Sequence, residues 1–367
     1  MSASYFLRGL AVAWCLFTVT VPKISGAPDI TIKDVLDAWK KRQDRVRTCR
    51  FEWETEITYP KGSLLGSGKM ISGQKASPLP VEDTKVKRLV TLTLDGNQMR
   101  YTSDGPQWYS DKERFVDLSY VSVCDGAHSK SYYGYRDVQT LGFVNKESNK
   151  NIDASNGENM PILMTYRALD PLIGIPDINK MVVSKNRSVF QDRECLVLEA
   201  PMNVPFFIKS YWVDPGRDYS IVRQVLSTKT GAIVTQATIS YQFDGDFGWV
   251  PVAWDDVLLN ERNSKLRQQT KGHVNKYEFN VPIDQQAFKY DFPSETVVLD
   301  HEEGKKQYVM EKDGSKRYIN SLNDVKRDQK QGIAWRYALW AVCVLAVAGC
   351  ILAVKRYLGK RRGVAQR

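Results

Sequence analysis

From residue 50 to residue 59 polar and apolar side chains alternate: Phe51, Trp53, Thr55, Ile57 and Tyr59 fall on one side, Arg50, Glu52, Glu54, Glu56 and Thr58 on the other. A period of two is that of a pleated strand, and here it describes a half-buried strand with one aromatic face. The rhythm returns along most of the chain. Residues 89–94, Asp95-Gly96 and 99–102 read as a hairpin, as do 120–124, Asp125-Gly126 and 129–133. Further strands are expected at 181–190, 194–200, 206–213, 219–227, 233–243, 250–259 and 272–281, with Asp214-Pro215-Gly216 as a turn. Residues 60–80 and 145–159 read as surface loops. This pattern describes a long antiparallel meander.

Helical spacing occurs in two places. Ile32, Val35, Leu36 and Trp39, with Val46 one turn on, make an apolar stripe over 31–47, which opens with a capping box at Thr31 and Asp34. Lys40, Lys41, Arg42 and Arg45 complement the helix dipole near its end. A shorter helix is expected over 161–169, preceded by Asn159 and stopped by Asp170-Pro171. The expected fold is therefore mainly β (α+β): a curved antiparallel half-barrel sheet, with the N-terminal amphipathic helix on its concave side.

The ends carry the charge. The 367 residues have a formal charge of +10, which on its face suggests a nucleic-acid or anionic partner. Residues 1–27 hold Arg8 and Lys23 and no acid, and residues 336–367 hold seven basic side chains and no acid. Residues 28–335 are left with +1, which excludes an electrostatic case for nucleic acid. Arg8, an apolar run over 10–21, and Ser25, Gly26 and Ala27 have the order of a secretory signal, 1–27; an uncleaved signal-anchor is the alternative. Residues 337–354 are free of charge, flanked by Arg336 and Lys355 and by Trp335, Trp340 and Tyr357 as interfacial aromatics. The expectation is one transmembrane helix over 336–355, a basic cytoplasmic tail over 356–367 and a juxtamembrane stalk over 301–335, below an extracytoplasmic β domain at 28–300. Mean hydropathy of −0.39 excludes a polytopic membrane protein.

Motifs for chemistry are sparse. Only Cys49, Cys124 and Cys195 fall in the exported body, enough for one disulfide at most and at no metal or redox spacing. His128 lies on a turn beside Asp125, and His273 and His301 show no paired ligand spacing. Asp244-Gly245-Asp246 lacks the further oxygens of a calcium loop, and Asp255 and Asp256 point to opposite faces of a strand. No phosphate-binding loop, dinucleotide glycine pattern or nucleophile elbow occurs. The expectation is a protein without catalytic residues, metal or cofactor.

Four segments resemble a known family. A helix with Trp39 and Arg42 leads to the aromatic strand from Phe51. Tyr211-Trp212-Val213-Asp214-Pro215 turns back to Ile221-Val222-Arg223. Tyr241 precedes Gly248-Trp249-Val250-Pro251, and Phe279-Asn280-Val281-Pro282 precedes Phe292-Pro293. This organisation, over about residues 30–300, resembles the LolA-like superfamily of bacterial lipoprotein carriers and the RseB-type envelope-stress regulators. The resemblance implies a half-barrel with a helical lid around a hydrophobic cavity for acyl chains or lipidated partners. Soluble carriers lack a C-terminal anchor, so here it implies a tethered, periplasmic or cell-surface module on a single-pass membrane protein. Candidate lining residues are Phe51, Trp53, Ile57, Trp212, Ile239, Tyr241 and Phe243, with ordinary core packing as the alternative for each. The alternative function is a packed structural or signalling ectodomain, and a hydrolase is the third reading.

Overall fold

The computed structural model describes residues 30–64, 79–146, 160–170, 175, 178–184, 187–201, 206–260, 263–302, 304 and 306–319. The strand alternating from Phe51 is β1 (Thr48–Tyr59), at the middle of one large sheet. On one side follow β2 (Thr84–Asp95), β3 (Gln98–Tyr109), β4 (Arg114–Cys124), β5 (His128–Tyr135) and β6 (Leu141–Lys146), each antiparallel to the last. On the other side follow β14 (Leu266–Phe279), β13 (Gly248–Leu259), β12 (Ile233–Asp244), β11 (Ser220–Thr228), β10 (Phe207–Asp214) and β9 (Arg193–Pro201), also antiparallel. Two short strands, β7 (Val182–Val183) and β8 (Ser188–Phe190), pair with β9. Among the described residues no pairing closes the sheet, so it is a curved, open half-barrel.

One connection departs from the expected meander. After β14 the chain crosses the outer face of β3–β5 before entering β15 (Val297–Asp300), which runs parallel to β6. Phe288 packs on Val121 and Val123, and Phe292 on Val144 and Val298. Arg100 donates to the Ala287 carbonyl at 3.0 Å and Lys130 to that of Tyr290 at 2.8 Å, satisfying backbone that no strand partners. β16 (Lys306–Met310) and β17 (Lys316–Ile319) then extend the edge. The front of the segment expected as stalk is thus sheet. Its lysines hide it from a periodicity reading, because Lys316 and Lys306 lie over the rings of Tyr308 and Tyr318 at 4.6 and 5.5 Å.

The inner face follows from β1, where Cys49, Phe51, Trp53, Thr55, Ile57 and Tyr59 are all buried. Trp53 meets Trp254 edge-on at 5.7 Å. The Trp254 indole lies against Gly272, where a Cβ would come within 2.1 Å of the ring. Gly96, in the turn between β2 and β3, has φ of +55°, as a tight hairpin requires.

Two helices sit at the end of the sheet where β1 begins. α1 (Ile32–Arg45) buries Val35, Trp39 and Arg42. Trp39 Nε1 donates to the Tyr219 carbonyl at 2.7 Å, and Arg42 donates to the Asp218 carbonyl and, at 3.1 Å, to Ser220 Oγ. α1 therefore packs on the turn between β10 and β11. It is α2 (Met160–Tyr166) that meets the inner face, with Tyr166 against Phe51 and Phe279 at 5.8 and 5.2 Å. This corrects the expectation that the N-terminal helix spans the concave side. The reason is amphipathicity: α1 has one narrow buried stripe, whereas α2 is buried from Pro161 through Tyr166 and must be enclosed on every side. α1 packs on α2 from outside.

Among the described residues no helix is long and apolar enough to cross a membrane. The expected signal at 1–27, span at 336–355 and tail at 356–367 lie outside the described residues.

Arg167, just after α2, is 1% exposed. It donates to the carbonyls of Gly96 at 2.7 Å, Val46 at 2.9 Å, Tyr166 at 2.6 Å and Arg47 at 2.5 Å. Burial lowers its pKa. Arg167→Met strands these acceptors and is expected to cost about 3 kcal/mol or more, read as a lower urea midpoint. Arg167→Lys is expected to rescue little, because an ammonium cannot reproduce the planar fork.

Candidate ligand-binding site

The helices occupy only the end of the concave face where β1 starts. Toward the opposite end, near Ile57 and Tyr59, the face opens into a cleft of about 270 Å³. Its floor is β1 and β2, with Ile57, Tyr59 and Arg88. One wall is aromatic: Tyr101 on β3, Tyr120 on β4, and Tyr133 and Tyr135 on β5. Their rings touch in sequence, with centroids 5.7 Å apart for Tyr101–Tyr120, 4.7 Å for Tyr120–Tyr133 and 6.4 Å for Tyr133–Tyr135. Register makes this wall, since Tyr120 pairs with Tyr133, Ser103 with Tyr120 and Leu118 with Tyr135. The other wall is polar, with Asp256 from β13 and Gln268 and Thr270 from β14.

Asp255 and Asp256 do part to opposite faces. Asp255 accepts from Gln269 Nε2 at 2.9 and 2.8 Å, while Asp256 faces inward. Burial, then the neighbouring Asp255 charge, push the Asp256 carboxyl up to about 6, with Lys209 opposing. Burial likewise pulls the Lys209 ammonium down to about 8, with Asp256 opposing, and Lys209 Nζ lies 5.6 Å from the centre of the Tyr211 ring. The inner row from Tyr211 runs through Gln224 and Ala237 to Asp256 and Thr270. On it, Tyr211 Oη and Gln224 Oε1 are buried without a hydrogen-bond partner, as is Thr55 Oγ1 on β1. The concave face therefore holds hydrogen-bonding capacity that the described protein atoms do not use.

Of the residues the sequence offered as lining, Ile57 lines the cleft. Phe51, Trp53 and Ile239 are buried in the packed core. Trp212 stands on the outer face under the Arg223 guanidinium, 4.6 Å from its ring centre. Tyr241 is half-buried beside α2, its hydroxyl 3.1 Å from Thr165 Oγ1 and donating to the Ile221 carbonyl at 3.0 Å. Phe243 is 60% exposed and rests on Trp249. The tyrosine wall does not stand out in the sequence as an apolar strand face, because its rings carry hydroxyls and alternate mostly with small or polar residues. The pairing of Tyr120 with Tyr133 follows from a tight turn in which the Asp125 N–H donates to the His128 carbonyl at 3.1 Å, leaving Gly126 and Ala127 as the two loop residues.

The remaining candidates take structural positions. His128 lies 3.7 Å from both Asp125 and Glu302 on the outer rim. Cys49, Cys124 and Cys195 are buried and outside any disulfide, and burial pushes Cys49 up to about 12. Among the described residues no His, Cys, Asp and Glu cluster has the makings of a metal site.

No family model and no curated protein matches the chain. Solved structures do. The chain is similar to a putative outer membrane lipoprotein-sorting protein domain from Vibrio parahaemolyticus, at 12% identity and a TM-score of 0.41, over 70% of this chain and 97% of that one. It is similar to a LolA superfamily protein from Nitrosomonas europaea, at 12% identity and 0.38, over 71% and 99%. It is similar to a DUF1329 family protein from Desulfovibrio piger, at 10% and 0.37, over 71% and 98%. Likeness at this level concerns the course of the chain and not what it binds.

The half-buried Lys209 and Asp256 charges should cost stability. An acid whose folded pKa is raised costs nothing below the unfolded value of 3.8, and its full cost is present above about 6. A lysine whose folded pKa is lowered costs its full amount below about 8. The double variant Lys209→Met/Asp256→Asn is expected to be more stable at pH 7 by about 1–4 kcal/mol. The gain should shrink between pH 6 and pH 4, as urea unfolding at each pH will show.

Proposed function

We propose that this chain is a membrane-anchored, extracytoplasmic binding module, non-enzymatic, that holds a lipid or lipidated partner in its concave cleft. The observation that carries the reading is the division of the concave face: α2 fills one end, and the other end remains an open cleft walled by tyrosines. A fully packed scaffold would have no use for an aromatic wall facing an opening. The signal and the C-terminal apolar segment read from the sequence support a domain outside the cytoplasm, with one anchor and a basic tail inside. No metal or cofactor is part of this reading, and the near-neutral body makes no case for nucleic acid.

The packed signalling ectodomain remains the second reading, favoured by one observation: Phe51, Trp53 and Tyr166 are wholly buried, so much of the concavity is core.

Native mass spectrometry of the full chain, released from detergent micelles, separates the two. An adduct of amphiphile mass is expected on the wild-type chain and lost in Ser103→Trp, which fills the cleft. A bare wild-type chain, or an adduct that Ser103→Trp leaves untouched, would contradict cleft binding and favour the packed ectodomain.

A further inference from the structure

The chemistry of the cleft says which part of an amphiphile it suits. Resting on the binding reading above, we infer that the tyrosine end of the cleft takes a neutral, hydroxyl-rich ring: a pyranose unit, either of a free glycan or of a glycolipid headgroup.

Charge is the first argument. Among the described lining residues Arg88 and Asp256 are the charged ones, and they cancel. Arg88 is already engaged by the Pro106 carbonyl at 3.0 Å and by Gln107 Oε1, so an anionic headgroup would find no uncommitted guanidinium and would meet the Asp256 carboxyl. An acyl chain fares no better. It would seal Asp256, Gln268 and Thr270 against hydrocarbon.

Shape and polarity are the second. A pyranose has a face of C–H bonds and a rim of hydroxyls. The contiguous wall of Tyr101, Tyr120, Tyr133 and Tyr135 offers negative ring faces for the first. Across β1 and β2, the Asp256 carboxylate and the Gln268 amide offer acceptors and donors for the second. The space of about 270 Å³ equals that of roughly nine waters at ~30 Å³ each, enough for a ring-sized headgroup.

The full chain in phosphatidylcholine nanodiscs, free of glycoside detergents, tests this by hydroxyl-radical footprinting of the peptides bearing Tyr101, Tyr120, Tyr133 and Tyr135. The probes are methyl hexopyranosides and maltose in solution, and monohexosyl diacylglycerol or plain diacylglycerol in the disc. Protection by the sugar-bearing probes and not by diacylglycerol is expected. Tyr133→Leu, shown folded by its melting curve, should raise the half-saturating concentration about tenfold. Protection by soluble sugars alone would uphold the ring and remove the lipid. Equal protection by both diacylglycerols would overturn the ring and leave the lipid reading standing. Protection by no probe would overturn both.

Discussion

A single buried guanidinium holds the closed end of this half-barrel together. The peptide groups where α1 becomes β1, where β2 turns into β3 and where α2 ends converge in one dry place, each with a carbonyl that needs a donor. Arg167 supplies all of them at once, from a position next to the helix that fills the concave face. Its geometry fixes how far α2 can enter. Tyr166, one residue earlier, is therefore set against Phe51 and Phe279, and the helical plug stops there. What the plug leaves uncovered, farther along β1, is the cleft. Closure at one end and opening at the other are consequences of the same anchoring.

The open half is not a greasy trough. Its aromatic wall carries hydroxyls, its floor carries Arg88, and its far wall carries Asp256 and two further polar side chains. Burial holds Lys209 and Asp256 away from their ordinary ionisation, a cost that a purely structural sheet could shed by substituting apolar residues. Buried polar atoms without partners point the same way. Such costs concentrate at binding sites, where a ligand completes what the protein leaves unpaired.

Local features were legible in the sequence. The alternation of β1, the turns at Asp95-Gly96 and Asp125-Gly126, the helix near 31–47 and the existence of a short helix within 161–169 all follow from period and turn chemistry, although that helix ends at Tyr166, ahead of the expected stop. What the sequence hid was non-local. Nothing near residue 288 announces that Phe288 will cover Val121 and Val123, or that β15 will join β6 in parallel, because those pairings depend on where distant strands come to lie. The face assignment of Trp212 failed for the same reason. Its strand was found, but which side would be inner depended on the register with β11, in which Trp212 pairs with Arg223 on the outer face. The cleft was half-legible, since Ile57 lies on the aromatic strand itself, while its tyrosine partners lie on hairpins that join its face only through the register of β3, β4 and β5.

An amphiphile should enter the concave face at the tyrosine end and not at the helical end or the β7–β9 edge, and photo-crosslinking locates its point of entry. The full chain, in nanodiscs carrying a glycolipid with a diazirine beside its headgroup, is irradiated, digested and sequenced by mass. Crosslinks are expected on β3, β4 and β5, at and around Tyr101, Tyr120 and Tyr133. Crosslinks confined to α1, α2 or the edge around Val189, with the tyrosine strands unmarked, would contradict entry at the tyrosine end.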